Sequence, residues 1–83
     1  MKIDDKSSNN SIIKTRIDGE FNGWDGNTIF KMLNGQIWQQ VSYPHSYLSH
    51  YAYNPKVTIR ISSNSCIMKV EKVDKSINVL SLK

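Results

Sequence analysis

Apolar and polar residues alternate with period two along much of the chain, and turn-forming residues interrupt the alternation at short intervals. That period places successive side chains on opposite faces of strands, whereas nothing in the chain sustains a helical period. The first run is Ile13, Thr15 and Ile17, ending at Gly19. The stretch Asn22-Gly23-Trp24-Asp25-Gly26-Asn27 is so rich in Gly, Asn and Asp that it predicts a loop or a pair of turns. A strand is predicted from Thr28 to Leu33, a tight hairpin at Asn34-Gly35, and a second strand from Gln36 to Ser42.

A two-residue loop at Asn34-Gly35 sets a register in which Leu33 faces Gln36, Met32 faces Ile37, Lys31 faces Trp38 and Phe30 faces Gln39. One face is then Phe30, Met32, Ile37 and Val41, and the other carries Ile29, Lys31, Gln36, Trp38 and Gln40. A second hairpin is predicted from Lys56 to Lys72 around Ser63-Asn64. Ile61 then faces Cys66, Ile59 faces Met68, Val57 faces Val70 and Lys56 faces Glu71. Here every aliphatic pair falls on one face, while Thr58, Arg60 and Lys69 gather on the other. Val73 to Ser76 reads as a short turn or one turn of 3₁₀ helix, and Ile77 to Leu82 as a last strand.

Five or six short strands without a long helix predict an all-β fold, a small SH3-like barrel, with an OB-like barrel as the alternative. The barrel is expected over residues 12–83. Residues 1–11, dominated by Ser, Asn and Lys, are expected to form a disordered or weakly ordered tail. Eighty-three residues suffice for one modest core and leave little room for a cleft between lobes, so the expectation is a binding protein and not an enzyme. The single Cys66 allows no internal disulfide, no apolar run approaches the roughly 20 residues that span a bilayer, and the charged start lacks a secretion signal. A cytoplasmic protein without membrane partners is expected.

Eleven Lys and Arg against seven Asp and Glu give a formal charge of +4, which raises nucleic acid as a partner. About half of that excess falls within residues 1–16, through Lys2, Lys6, Lys14 and Arg16 against Asp4 and Asp5. From Met32 through Pro55 there is no Lys, Arg, Asp or Glu at all.

Gly26, Thr28, Asn34, Gly35, Gln36, Trp38 and Gln40, followed by Pro55, Val57 and Ile59, make the pattern G-x-T-x-x-x-x-x-N-G-Q-x-W-x-Q and then P-x-V-x-I. From about Ile17 to the C-terminus the chain resembles a family of small uncharacterised bacterial domains that share this pattern. The resemblance implies a compact all-β domain and carries no activity or substrate.

Within the charge-free stretch, Tyr43, His45, Tyr47, Tyr51 and Tyr53 occupy odd positions, so an extended backbone lines them along one side with Ser49 between. Tyr interleaved with small polar residues gives broad, rigid contact area at low entropic cost, as in binding loops. Barrel capping by the same rings is the structural alternative. Trp24 and Trp38 either cover the barrel or join this surface, with Lys31 as a cation-π neighbour of Trp38. The expected function is a binding or adaptor module that recognises a protein, a peptide or its own copy through Trp24, Trp38, Tyr43, Tyr47, Tyr51 and Tyr53. The alternative is single-stranded nucleic acid, held by surface aromatics with Lys31, Lys56, Arg60 and Lys69. His45, His50 and Cys66 lack the spacing of a metal site, and the scattered carboxylates offer no acid–base pair, so neither cofactor nor metal is expected.

Overall fold

Among the described residues there are eight strands, six of them in the main sheet: β1 (Ser11–Arg16), β2 (Glu20–Trp24), β3 (Ile29–Lys31), β4 (Ile37–Gln40), β5 (Leu48–Tyr53), β6 (Lys56–Ile61), β7 (Cys66–Val70) and β8 (Ser76–Ser81). They come from a computed structural model, which describes residues 11–41 and 46–83. Residues 1–10 of the expected tail, together with Tyr43 and His45, lie outside the described residues, while Ser11 already belongs to β1. Among the described residues there is no helix long and apolar enough to cross a membrane.

Six strands form one antiparallel sheet in the order β1-β6-β7-β8-β4-β3, and β2 pairs with β5 in a second, smaller sheet. The large sheet curls until its two edges meet. Ile17 bridges to Met32, the Leu33 N–H donates to the Arg16 carbonyl at 2.9 Å, and the Asp18 N–H donates to the Lys31 carbonyl at 2.8 Å. The protein is therefore an all-β, small-barrel molecule. Phe21 and Trp24 of the small sheet share one core with Phe30, Met32, Trp38, Val57, Ile59, Met68, Val70, Ile77 and Val79 of the large one.

The β6–β7 hairpin has the register that aliphatic alternation predicts: Val57 opposite Val70, Ile59 opposite Met68 and Ile61 opposite Cys66. Its inward residues Ile59, Met68 and Val70 are the most deeply buried side chains. Strong specification follows because a slip of one residue would turn this whole set to water.

The β3–β4 hairpin departs from its expected register by one residue. Phe30 stands opposite Trp38 and Lys31 opposite Ile37. The loop has three residues, because Met32 and Gln36 still pair (Met32 N–H to the Gln36 carbonyl, 2.9 Å) and the Gly35 N–H returns to the Met32 carbonyl at 3.0 Å. Gly35 alone takes a positive φ, 92°, and Asn34 does not. This is a type I turn closed by a left-handed glycine, where the expected turn needs two positive φ values. Asn34 acts through its side chain: its Oδ1 accepts the Gln36 N–H at 2.9 Å, and its Nδ2 donates to Gln36 Oε1 at 3.1 Å. The slip turns Trp38 inward and leaves Ile29 on the exposed face.

Two further expectations are corrected. Glu20–Trp24 is a strand, although Asn22 and Gly23 read as turn residues, because a bulge lets Asn22 stand against both His50 and Tyr51 between the pairs Phe21–Ala52 and Gly23–Ser49. The turn before β8 lies at Glu71-Lys72, not at Val73 to Ser76. Lys72 has φ 67° and the Val73 N–H donates to the Val70 carbonyl at 3.1 Å, so no 3₁₀ turn of the SH3-like kind precedes the last strand.

Candidate functional site

Strand β5 follows β4 in chain order, starting at Leu48, and ends at the Asn54-Pro55 corner that leads into β6. Asn54 takes φ 51°, its N–H donates to the Gly19 carbonyl at 2.8 Å and its Oδ1 accepts the Gly19 N–H at 2.6 Å. This two-way clasp fixes the end of β5 against β2. At the other end, Gln40 is 2% exposed; its Oε1 accepts the Gly26 N–H at 2.7 Å and its Nε2 donates to the Ser46 carbonyl at 3.0 Å. One buried carboxamide thus ties the β2–β3 turn to the approach of β5.

Between these fixed ends the side chains alternate. Leu48, His50 and Ala52 turn inward, with the His50 ring 6.3 Å from that of Phe21, while Tyr47, Ser49, Tyr51 and Tyr53 turn outward. Tyr47, Tyr51 and Tyr53 are 63%, 61% and 67% exposed. The odd-position reading therefore holds for every Tyr among the described residues, and these rings do not cap the barrel. β2 occupies one side of β5, and no strand among the described residues occupies the other.

The tryptophans do not join this surface. Trp24 is 2% exposed and Trp38 3%. Trp24 packs edge-on against Phe21, ring centres 6.1 Å apart, and its Nε1 donates to Ser46 Oγ at 3.0 Å. Trp38 lies under the β3–β4 hairpin, with Nε1 donating to Gln36 Oε1 at 3.2 Å. Both are core residues with satisfied polar tips, so an aromatic cage built from them is excluded. Lys31 lies on the opposite face of its hairpin from Trp38, and the expected cation-π pair does not form. Lys31 instead stands with Asp18 and Glu20 beside a cleft of about 550 Å³ between β2 and β3.

Arg60 lies apart from the tyrosines, on the outer face of the large sheet between Ile12 and Ile67. There it belongs to a basic field. Lys14 and Arg16 of β1 alternate outward beside Lys56 and Arg60 of β6 and Lys69 of β7. Lys2 and Lys6 are balanced by Asp4 and Asp5, so the whole charge of +4 belongs to residues 11–83. Lys14 and Arg16 were expected near a loose start and are in fact locked into the sheet, opposite Thr58 and Lys56.

Glu71 is the carboxylate within this field. Its Oε1 accepts the Lys56 N–H at 2.8 Å, and this bond holds its pKa below the ordinary 4.5, opposed by desolvation and aided by the charges of Lys56, Arg16 and Lys72. A pKa lower in the folded than in the unfolded chain stabilises the fold above the unfolded value, and the stabilisation is lost as pH falls through the folded one. Urea titrations from neutral pH downward are expected to show a shallower acid decline for Glu71→Gln than for the wild type. Identical declines would show that the bond to Lys56 contributes nothing.

Among the described residues no group of three or more His, Cys, Asp or Glu side chains is placed to hold a metal ion. Cys66 is half-buried against the core. The residues of the N-G-Q-x-W-x-Q stretch are turn and core pieces: Asn34 and Gly35 shape a loop, Gln36 caps Trp38, and Gln40 ties two segments. No protein-family model matches the chain, and no curated protein or solved structure matches it either.

Proposed function

We propose that the protein is a docking module that works by strand addition at β5, and that the strand it adds is β5 of a second copy of the chain. The observation that carries this reading is the contrast between β5 and the other strands at the sheet margins. β1 carries Lys14 and Arg16, β3 is three residues long and carries Lys31, and β2 carries Glu20. Charges and shortness are among the devices by which proteins block unwanted pairing at strand edges. β5 has six residues with no charge, proline or glycine, and a free side among the described residues; its one irregularity is the bulge that sets His50 and Tyr51 against Asn22 of β2.

Pairing about a twofold axis sets the same surface against itself. At β1 that would bring Lys14 and Arg16 close to their own copies. At β5 it brings only Tyr, Ser, Leu, His and Ala together, so backbone hydrogen bonds form without like-charge repulsion. Tyr47, Tyr51 and Tyr53 then add rigid contact area around the new ladder.

Sedimentation equilibrium tests the reading. Wild-type protein is expected to show a mass that rises with concentration toward the dimer. Tyr51→Lys, at a side chain outside the core, is expected to remain monomeric while its melting curve stays near that of the wild type. A wild-type mass that stays monomeric across the range would overturn the reading.

A further inference from the structure

We infer that the groove across β1, β6 and β7 is an anion site that takes the phosphodiester backbone of a single-stranded nucleic acid. The groove measures about 710 Å³, and its wall includes Lys14, Arg16, Lys56 and Lys69, with Glu71 at one end and Leu33 beside it. It is formed by the large sheet and involves none of the outward tyrosines, so it stands independently of the docking strand.

Four cations against one carboxylate focus a positive potential in a recess, which raises the local concentration of anions far more than the same charges spread on a flat surface. The cations are also partly oriented. Arg16 Nη1 donates to the Asn54 carbonyl at 2.9 Å and Lys69 Nζ donates to the Val73 carbonyl. Each retains further N–H donors, because a guanidinium has five and an ammonium three. Lys14 and Arg16 are two residues apart on one strand, and Lys56 stands beside Arg16 on the next. Strand geometry therefore repeats positive charge along the groove at roughly 5 to 7 Å, which suits a ligand with regularly repeated charges better than a single compact anion.

The exposed side chain of Leu33 offers an apolar ledge for a sugar or base. Among the described residues no Tyr or Trp lines the groove, so the site as described offers phosphate contacts and no stacking platform. Binding of this kind is insensitive to sequence and strongly sensitive to salt.

Fluorescence anisotropy with labelled oligothymidylate and oligouridylate tests the site. If about four phosphates are neutralised, the logarithmic salt slope is about −2.8, and affinity falls about 50-fold between about 50 and 200 mM salt. Lys14→Gln and Lys56→Gln are each expected to flatten that slope by about 0.7. Glu71→Gln, which keeps an oxygen for the Lys56 N–H, is expected to tighten binding. Lys75→Gln removes an exposed charge outside the groove and serves as a control: an oligonucleotide affinity that falls as much with it as with the Lys14 and Lys56 variants would show that net charge alone sets binding and overturn the site. Absence of binding at the lower salt, or binding that ignores both lysine changes, would also overturn it. So would vesicles of phosphatidylserine and phosphatidylcholine that bind through Lys14 and Lys56 while oligonucleotides do not.

Discussion

Gly23→Ala is expected to destabilise the fold by about 2 to 6 kcal/mol, combining positive-φ strain with backbone crowding at about 1 to 3 kcal/mol each. Gly23 has φ 104°, and a Cβ there would lie 1.9 Å from the Leu48 carbonyl oxygen. The obstacle is backbone of the neighbouring strand, so no side chain can swing aside; β2 and β5 would have to separate. Gly35 has φ 92° but open space around a built Cβ, so Gly35→Ala carries the conformational cost alone, about 1 kcal/mol or somewhat more. Urea midpoints of the two variants distinguish the causes. Equal losses would show that close approach of β2 and β5 is not what requires glycine at position 23.

Gln40→Leu is expected to cost about 2 to 4 kcal/mol despite its similar volume, because removing a buried partner leaves each orphaned group paying about 1 to 3 kcal/mol. Gly26 is buried, and its N–H loses the Gln40 Oε1 acceptor, while the Ser46 carbonyl loses its Nε2 donor. Urea denaturation gives the stability, and amide exchange gives the location. Exchange at Gly26 is expected to rise more than the global loss accounts for. If Gln40→Leu is as stable as the wild type, the carboxamide is not the tie between the β2–β3 turn and the start of β5.

These two residues also mark what was legible in the chain. Period-two alternation is a local signal, and where it is unambiguous, as in Val57, Ile59 and Ile61 against Met68 and Val70, it gives pairing as well as strand type. Asn34-Gly35 carried a correct hairpin and a wrong register. Loops of two and three residues both use this pair and differ only in whether Asn also takes a positive φ. The expected face that set Trp38 beside Lys31 was the sign of that slip, since moving by one residue sends Trp38, Phe30 and Met32 to a common interior.

β2 was hidden for a related reason. Gly23 looks like a turn residue, and it is required instead by a neighbouring backbone that lies 25 residues away at Leu48. The outward row of Tyr47, Tyr51 and Tyr53 was readable because a strand displays alternate positions whatever its partners. The β6–β7 side of the basic groove, with Lys56 and Lys69, was readable from its hairpin, but the share of β1 was not, because β1 meets β6 only through a pairing between positions some 40 residues apart, Arg16 with Lys56. Long-range strand order is carried by the whole pattern of burial and is not encoded near either strand.

Self-pairing through β5, a strand without charge and with no second neighbour among the described residues, is the central proposal. Sedimentation equilibrium on Tyr51→Lys, Tyr51→Glu and their equimolar mixture tests this most directly, because opposite charges at one exposed site restore across a twofold interface what like charges prevent. Each variant alone is expected to be monomeric at concentrations where the wild type dimerises, and the mixture is expected to regain dimer mass. A mixture as monomeric as its parts, or single variants that dimerise as well as the wild type, would contradict pairing through β5.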